Sequence, residues 1–128
     1  MNKRVKTRWL KALRSGQYKQ GIGRLKTLND PDEFCCLGVL CDIALHSTKE
    51  GKKFVYEEEA TPTVVAYVDD SSGTRKLFDL PPAVAKWAGL DQVDPQVTLS
   101  NGDSQHLSWV NDKGFTFEHI ADMIEEQL

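Results

Sequence analysis

Phe34-Cys35-Cys36-Leu37-Gly38-Val39-Leu40-Cys41-Asp42 is the densest apolar stretch of the chain and holds all three of its cysteines. Directly before it, Asp30-Pro31-Asp32-Glu33 has the grammar of a helix start: Asp30 at the N-cap, Pro31 at the first helical position and Glu33 closing a capping box. The expected helix runs to about His46. Between Phe34 and Leu45 only Gly38 and Asp42 interrupt the apolar character, so such a helix is apolar nearly all round and belongs in the interior. It is the predicted core helix, around which the other segments form layers.

Working outward, Lys3 to Ser15 has the period of an amphipathic helix. Val5, Trp9, Ala12 and Leu13 form its stripe, Leu10 widens it, and Gly16 ends it. Gln17 to Leu25, with glycines at 21 and 23, reads as an extended or turning segment whose backbone can approach something closely. Leu25 to Leu28 predicts a short strand. Beyond the core helix, Ser47 to Gly51 reads as a polar connection. Phe54 to Glu58 and Val64 to Val68 predict two strands, and turn-rich Asp69 to Gly73 leads to a third segment at Arg75 to Phe78, which together make a meander.

Pro81 to Gly89 has the proline-opened, glycine-closed form of a short helix. A strand is expected around Val97 to Leu99, a helical turn or two over His106 to Asp112, and a final helix over Phe117 to Leu128 capped by Thr116. Trp9, Trp87 and Trp109 fall at expected core positions of their helices. The fold class that follows is α+β: a buried central helix, a small antiparallel sheet mainly from residues 53 to 79, and amphipathic helices at both termini. No repeat or linker divides the chain, so residues 1–128 are expected to form a single domain.

A length of 128 residues, 40% hydrophobic and 27% charged, fits a soluble globular domain that folds without disulfides or a structural metal. No apolar run approaches a membrane span, and the basic N-terminus lacks the apolar region of a secretory signal. Three cysteines, two of them adjacent, fit a reducing compartment. A cytoplasmic location is the expectation. The net charge of −3 conceals a strong asymmetry: residues 1–28 carry nine basic residues and no acid, whereas the rest carry seven basic against nineteen acidic residues, a balance of −12. Either a partner neutralises the N-terminal face, or a basic helix lies on the acidic remainder of its own fold or of a second subunit. The oligomeric state stays open.

Four motifs, taken in order, carry a resemblance: W-L-K-A-L-R-S-G-Q-Y-K-Q-G-I-G-R-L from Trp9, F-C-C-L-G-V-L-C-D from Phe34, L-P-P-A-V-A-K-W-A-G-L from Leu80, and V-N-D-K-G-F-T-F-E-H-I-A-D-M-I-E from Val110. Together they resemble a family of small proteins, without assigned activity, encoded by tailed bacteriophages and prophages. The likeness leaves out about Thr48 to Lys76. It implies a phage-encoded protein in the host cytoplasm and transfers no catalytic residue. Accessory proteins of that kind often bind a host target, including defence proteins or their nucleotide signals.

Cys35, Cys36, Cys41 and His46 would make a zinc ligand set by type, but on one helix Cys35 and Cys36 diverge by about 100°, and neither a metal nor another cofactor is expected. Cys35 or Cys36 in a first helical turn would feel the positive end of the dipole and serve as a nucleophile. The nearest base on the same helix, His46, stands about 16 Å along it, and buried structural thiols are the favoured reading. Asp42, a carboxylate in an apolar helix, needs solvent at the helix edge or a donor, which the first helix or Arg24 would supply. Leu107 to Ile124 resembles the front of a helix-turn-helix, but its last helix is acidic, and a helical hairpin on the core explains it better.

Gly21-Ile22-Gly23-Arg24, flanked by Lys19 and Lys26, offers N–H groups and cations to a phosphate, against the plainer reading of a tight turn on the core. With Arg8, Lys11 and Arg14 on the first helix, these residues form the candidate binding surface. The expected function is an accessory protein that binds a host protein or a phosphate-bearing ligand there, in the manner of a counter-defence protein. A small cysteine-dependent enzyme and a nucleic-acid-binding protein without sequence preference are the alternatives.

Overall fold

The apolar helix predicted at the centre is there, and the other elements touch it from every side. The computed structural model describes residues 1–47 and 53–128; the polar connection expected from Ser47 lies, from Thr48 to Gly51, outside them. Helix α1 (Lys3–Arg14) precedes three two-residue strands, β1 (Lys19–Gln20), β2 (Lys26–Thr27) and β3 (Glu33–Phe34), and then the central helix α2 (Cys36–Leu45). Strands β4 (Val55–Glu59), β5 (Val64–Asp69) and β6 (Arg75–Lys76) lead to α3 (Pro82–Ala88). A hairpin of β7 (Gln96–Thr98) and β8 (Ser104–His106) then opens into α4 (Leu107–Asp112) and α5 (Phe117–Gln127). The class is α+β, as the periodicities predict.

The sheet is larger than the expected meander. Its path is β1-β3-β2-β5-β4, with β6 also on β5, so half of its strands come from before the central helix. All pairs are antiparallel except β1 with β3. The first half of β5 pairs with β2 (Lys26↔Val65) and the second half with β6 (Tyr67↔Lys76), which places two short strands in succession along one edge.

The predicted capping box fails. Asp30-Pro31 is a cis peptide, and Glu33 and Phe34 are strand residues paired with β1 on one side and β2 on the other. Backbone groups engaged in two ladders are not available to a helix, and the Asp32 carboxylate accepts the Asn29 N–H at 3.0 Å instead of capping. The helix therefore starts about a turn late. Cys35 is its N-cap, its Sγ accepting the Gly38 N–H at 3.4 Å, and the buried Asn111 carbonyl accepts the Cys36 N–H at 3.1 Å.

Helix α1 buries Val5, Trp9 and Leu13 at helical spacing, and the Trp9 indole N–H donates to the Cys36 carbonyl at 3.0 Å. Helix α5 buries Phe117, Ile120, Ala121, Met123 and Ile124, and Thr116 caps it by accepting the His119 N–H. Trp87 packs against Phe54 at 5.7 Å between centroids. Trp109 departs from expectation: it lies on the outer face of α4, not in the core. Among the described residues no helix is long and apolar enough to cross a membrane.

Two short helices have no side-chain cap of their own and borrow one. Buried Asp69, at the end of β5, accepts the Ala83 N–H of α3 at 2.9 Å, together with the Ser71 and Ser72 N–H groups and the Ser71 hydroxyl. Asp94 accepts the Ser108 N–H of α4 at 3.1 Å and its hydroxyl at 2.5 Å. An anion at each helix start meets unpaired N–H groups and the positive end of the peptide dipoles.

Two tests follow. A Cβ on Gly38 would lie 1.7 Å from the Leu25 carbonyl oxygen, so Gly38→Ala is expected to lose about 3 kcal/mol or more in urea denaturation; a loss below about 1 kcal/mol would show that the crossing is not tight. For Asp69, burial pushes the carboxyl up, but the donors from Ser71, Ala83 and Ser72 outweigh it and hold it below the usual range. A carboxyl depressed on folding adds stability that is present above its unfolded pKa of about 3.9 and fades as pH falls through the folded value. Asp69→Asn, which turns an amide N–H toward that of Ala83, should lose about 1–3 kcal/mol near neutral pH, with the gap closing in acid. A pH-independent gap would contradict the assignment.

Candidate functional site

The basic segment of residues 1–28 separates into cations that the fold neutralises and cations that it leaves alone. On α1, Arg14 Nη2 lies 2.8 Å from Asp122 Oδ1 and 2.6 Å from Glu125 Oε2, and Lys6 Nζ donates to the Glu125 carbonyl at 2.9 Å. The basic helix thus lies on the acidic α5 of its own fold, which accounts for part of the asymmetry. The hydrogen bonds that its guanidinium donates to those two carboxylates hold Arg14 above its ordinary pKa.

The same matching continues into the loop. Lys19 Nζ lies 3.6 Å from Glu33 Oε2, and Lys26 Nζ lies 2.8 Å from Glu57 Oε1 and 4.0 Å from Asp32 Oδ2. The Gly21 N–H donates to the Phe34 carbonyl at 2.8 Å and the Gly23 N–H to Asp112 Oδ1 at 3.0 Å. The N–H groups of both glycines are therefore engaged within the fold. The glycines are explained by the turn: a Cβ on Gly21 would meet Glu33 Cβ at 2.8 Å, and Gly23 has φ +79°. Of the residues read as a binding surface, Arg8, Lys11 and Arg24 have no carboxylate in ion-pair range among the described residues.

Arg8 and Lys11 join Arg4 on α1. The three stand at i, i+4 and i+7, the spacing of one helix face, and all are exposed. They point away from the Val5-Trp9-Leu13 stripe, and Arg8 Nη1 is held by the Ser47 hydroxyl at 2.7 Å. Arg4 was not singled out as a site residue from the sequence; its spacing to Arg8 and Lys11 was the available signal.

The thiols lack the exposure that a nucleophile needs. Cys35, Cys36 and Cys41 are free and buried. Burial pushes the Cys35 thiol up to about 12, and the Cys36 and Cys41 thiols also rise through burial. The effect of the helix N-terminus on Cys35 is outweighed by desolvation. No three His, Cys, Asp or Glu side chains among the described residues converge as metal ligands. Asp42 finds a donor that the sequence reading did not name: the Tyr18 hydroxyl donates to Oδ2 at 2.5 Å, and His46 Nδ1 lies 3.6 Å from Oδ1. Neither α1 nor Arg24 supplies it. Burial first, and then the Asp42 hydrogen bond, raises the Tyr18 phenol.

A half-open cleft of about 690 Å³ lies between the β7–β8 hairpin and α5, with Leu99, Phe115, His119, Met123 and Glu126 in its lining. Its amides are engaged within the fold: Gln127 bonds the Thr98 N–H and carbonyl, and Asn101 bonds Asp103.

Compared with known proteins, the chain matches the family model for a domain of unknown function, DUF8296, over residues 1–128. Neither the search of curated proteins nor that of solved structures gives a match.

The buried thiols set a test of the cysteine-dependent alternative. With an aromatic disulfide reagent at mildly alkaline pH, the native protein is expected to show no fast-reacting thiol, and all three cysteines should react on denaturation. One rapidly labelled thiol in the folded protein would revive that alternative.

Proposed function

The chain belongs to the DUF8296 family, and since that membership brings no activity with it, we propose a phage-encoded accessory protein that acts by docking an acidic surface of a host protein onto α1. The observation that carries this reading is the stripe of Arg4, Arg8 and Lys11. It remains exposed and without ion pairs among the described residues, while neighbouring Lys6 and Arg14 are held by α5.

A convex helix face with three cations over two turns suits a broad acidic partner, whose field steers encounter and fixes orientation. A small phosphate ligand needs converging N–H donors, and two of those in the Gly21–Arg24 turn, from Gly21 and Gly23, are occupied. A nucleic-acid backbone suits the stripe less well, because the rest of the chain carries a balance of −12 and repels a long polyanion. Interference with a host defence protein is one role that fits a docking partner without chemistry of its own.

The experiment is quantitative capture from host lysate at low salt on immobilised wild-type protein and on the Arg4→Glu/Arg8→Glu/Lys11→Glu variant. The wild type is expected to retain an acidic protein whose binding weakens with added salt and falls by about tenfold or more in the variant. The substituted side chains are exposed, so the melting temperature should change little. An identical captured set on both proteins would remove α1 as the docking face, and retention of nucleic acid in place of protein would overturn the partner class.

A further inference from the structure

A second surface is built around the Gly21–Gly23 turn. Among the described residues, three of the four exposed large hydrophobic side chains gather here: Ile22 at 66%, Phe78 at 52% and Trp109 at 37% of full exposure. The fold brings them together from three segments. The Leu25 N–H donates to the Leu77 carbonyl at 2.8 Å, which sets the turn beside Phe78, and the Arg24 guanidinium lies 4.4 Å from the centre of the Phe78 ring. On the other side, Gly21 and Gly23 are tied to Asn111 and Asp112 of α4. Trp109 stands one turn before Asp112 on the same helix face, with Lys113 Nζ 5.5 Å above its ring.

Exposed aromatic, isoleucine and arginine side chains on a backbone pinned from both sides are the composition and rigidity of an interface centre, not of a solvated loop. The charges indicate the partner. Beside the Lys76–Asp79 ion pair at 3.4 Å, which cancels within itself, the face carries cations Arg24 and Lys113 and carboxylates Asp112, which holds the Gly23 N–H, and Asp94, which caps Ser108. A strongly charged partner of either sign would meet like charges here. A surface carrying both signs in equal number can oppose each to its counterpart when it faces a copy of itself.

We propose that the face formed by Ile22, Arg24, Phe78, Trp109 and Lys113 pairs with the same face of a second copy of this chain across a two-fold axis. The three apolar side chains form the dry centre of the contact, and the interspersed charges form its rim. The Arg4-Arg8-Lys11 stripe takes no part, so this pairing stands or falls independently of the docking role proposed for α1.

Sedimentation equilibrium of the full chain, from low micromolar to roughly 100 µM, tests the pairing. The wild type is expected to be dimeric at the upper end, and Ile22→Asp and Phe78→Asp are each expected to weaken the dimer by about tenfold or more, since every substitution acts twice in a two-fold contact. Arg8→Glu should leave it unchanged. Both aspartate variants replace exposed side chains, and an unaltered melting curve at a concentration where each is monomeric confirms that they fold. A wild type that stays monomeric throughout overturns the proposal. So does a dimer that survives both aspartate substitutions, or one that Arg8→Glu dissolves.

Discussion

One buried amide joins the parts of this protein that the sequence keeps apart. Asn111 accepts the Cys36 N–H at 3.1 Å and the Gln20 side-chain amide at 3.0 Å through one oxygen, and donates to the Gly21 carbonyl at 2.8 Å. The start of the central helix, the glycine turn and the fourth helix therefore share a single side chain. Each of these groups is withdrawn from water, and an unpaired polar group there costs about 1–3 kcal/mol. Removing the amide would strand several at once. That network also holds the turn from which Ile22 and Arg24 project.

The second constraint is steric. The Leu25 carbonyl approaches the central helix so closely that only a glycine at position 38 can face it. A helix that admits a loop carbonyl against its own backbone is packed on that side by main chain and elsewhere by α1, α3, α4 and β4, and its thiols are buried. Three cysteines in so short a segment invite a chemical reading, but burial on all sides raises their pKa values and makes them small apolar spacers. Trp9 seals the same helix from above while satisfying its first carbonyl.

What could be read from the sequence divides along physical lines. Helices α1 and α5, the strands β4 and β5 and the helix between Pro81 and Gly89 were legible because periodicity, β-branching and terminal glycine or proline act locally. The start of α2 was not: Asp30-Pro31-Asp32-Glu33 satisfies a local capping rule, yet Glu33 and Phe34 are claimed by strands on both sides. The same applies to the borrowed caps, since Asp69 and Asp94 stand 14 residues before the groups they hold. Trp109 follows the helix period but faces outward, because Leu107, Val110 and Asn111 occupy the inner side of a helix too short to bury both.

Of the candidate site, the basic character of residues 1–28 was legible and its allocation was not. Composition counts Arg14, Lys19 and Lys26 beside Arg8, Lys11 and Arg24, and only the folded chain distinguishes them. The first three meet carboxylates brought in by α5, β3 and β4; among the described residues the other three meet none. Exposed ion pairs add little stability individually, but each neutralises a charge that a partner would otherwise see. Internal pairing thus edits a diffuse basic segment down to two small surfaces with different chemistry. On α1 the remaining cations stand on a convex polar face, where only long-range attraction acts. At the glycine turn Arg24 stands over Phe78 beside Ile22, where contact requires desolvation and close fit. Electrostatic attraction tolerates a range of acidic partners, whereas an apolar centre with balanced charges demands one matching surface. As proposed contact surfaces, the two faces therefore differ in the selectivity that their chemistry allows.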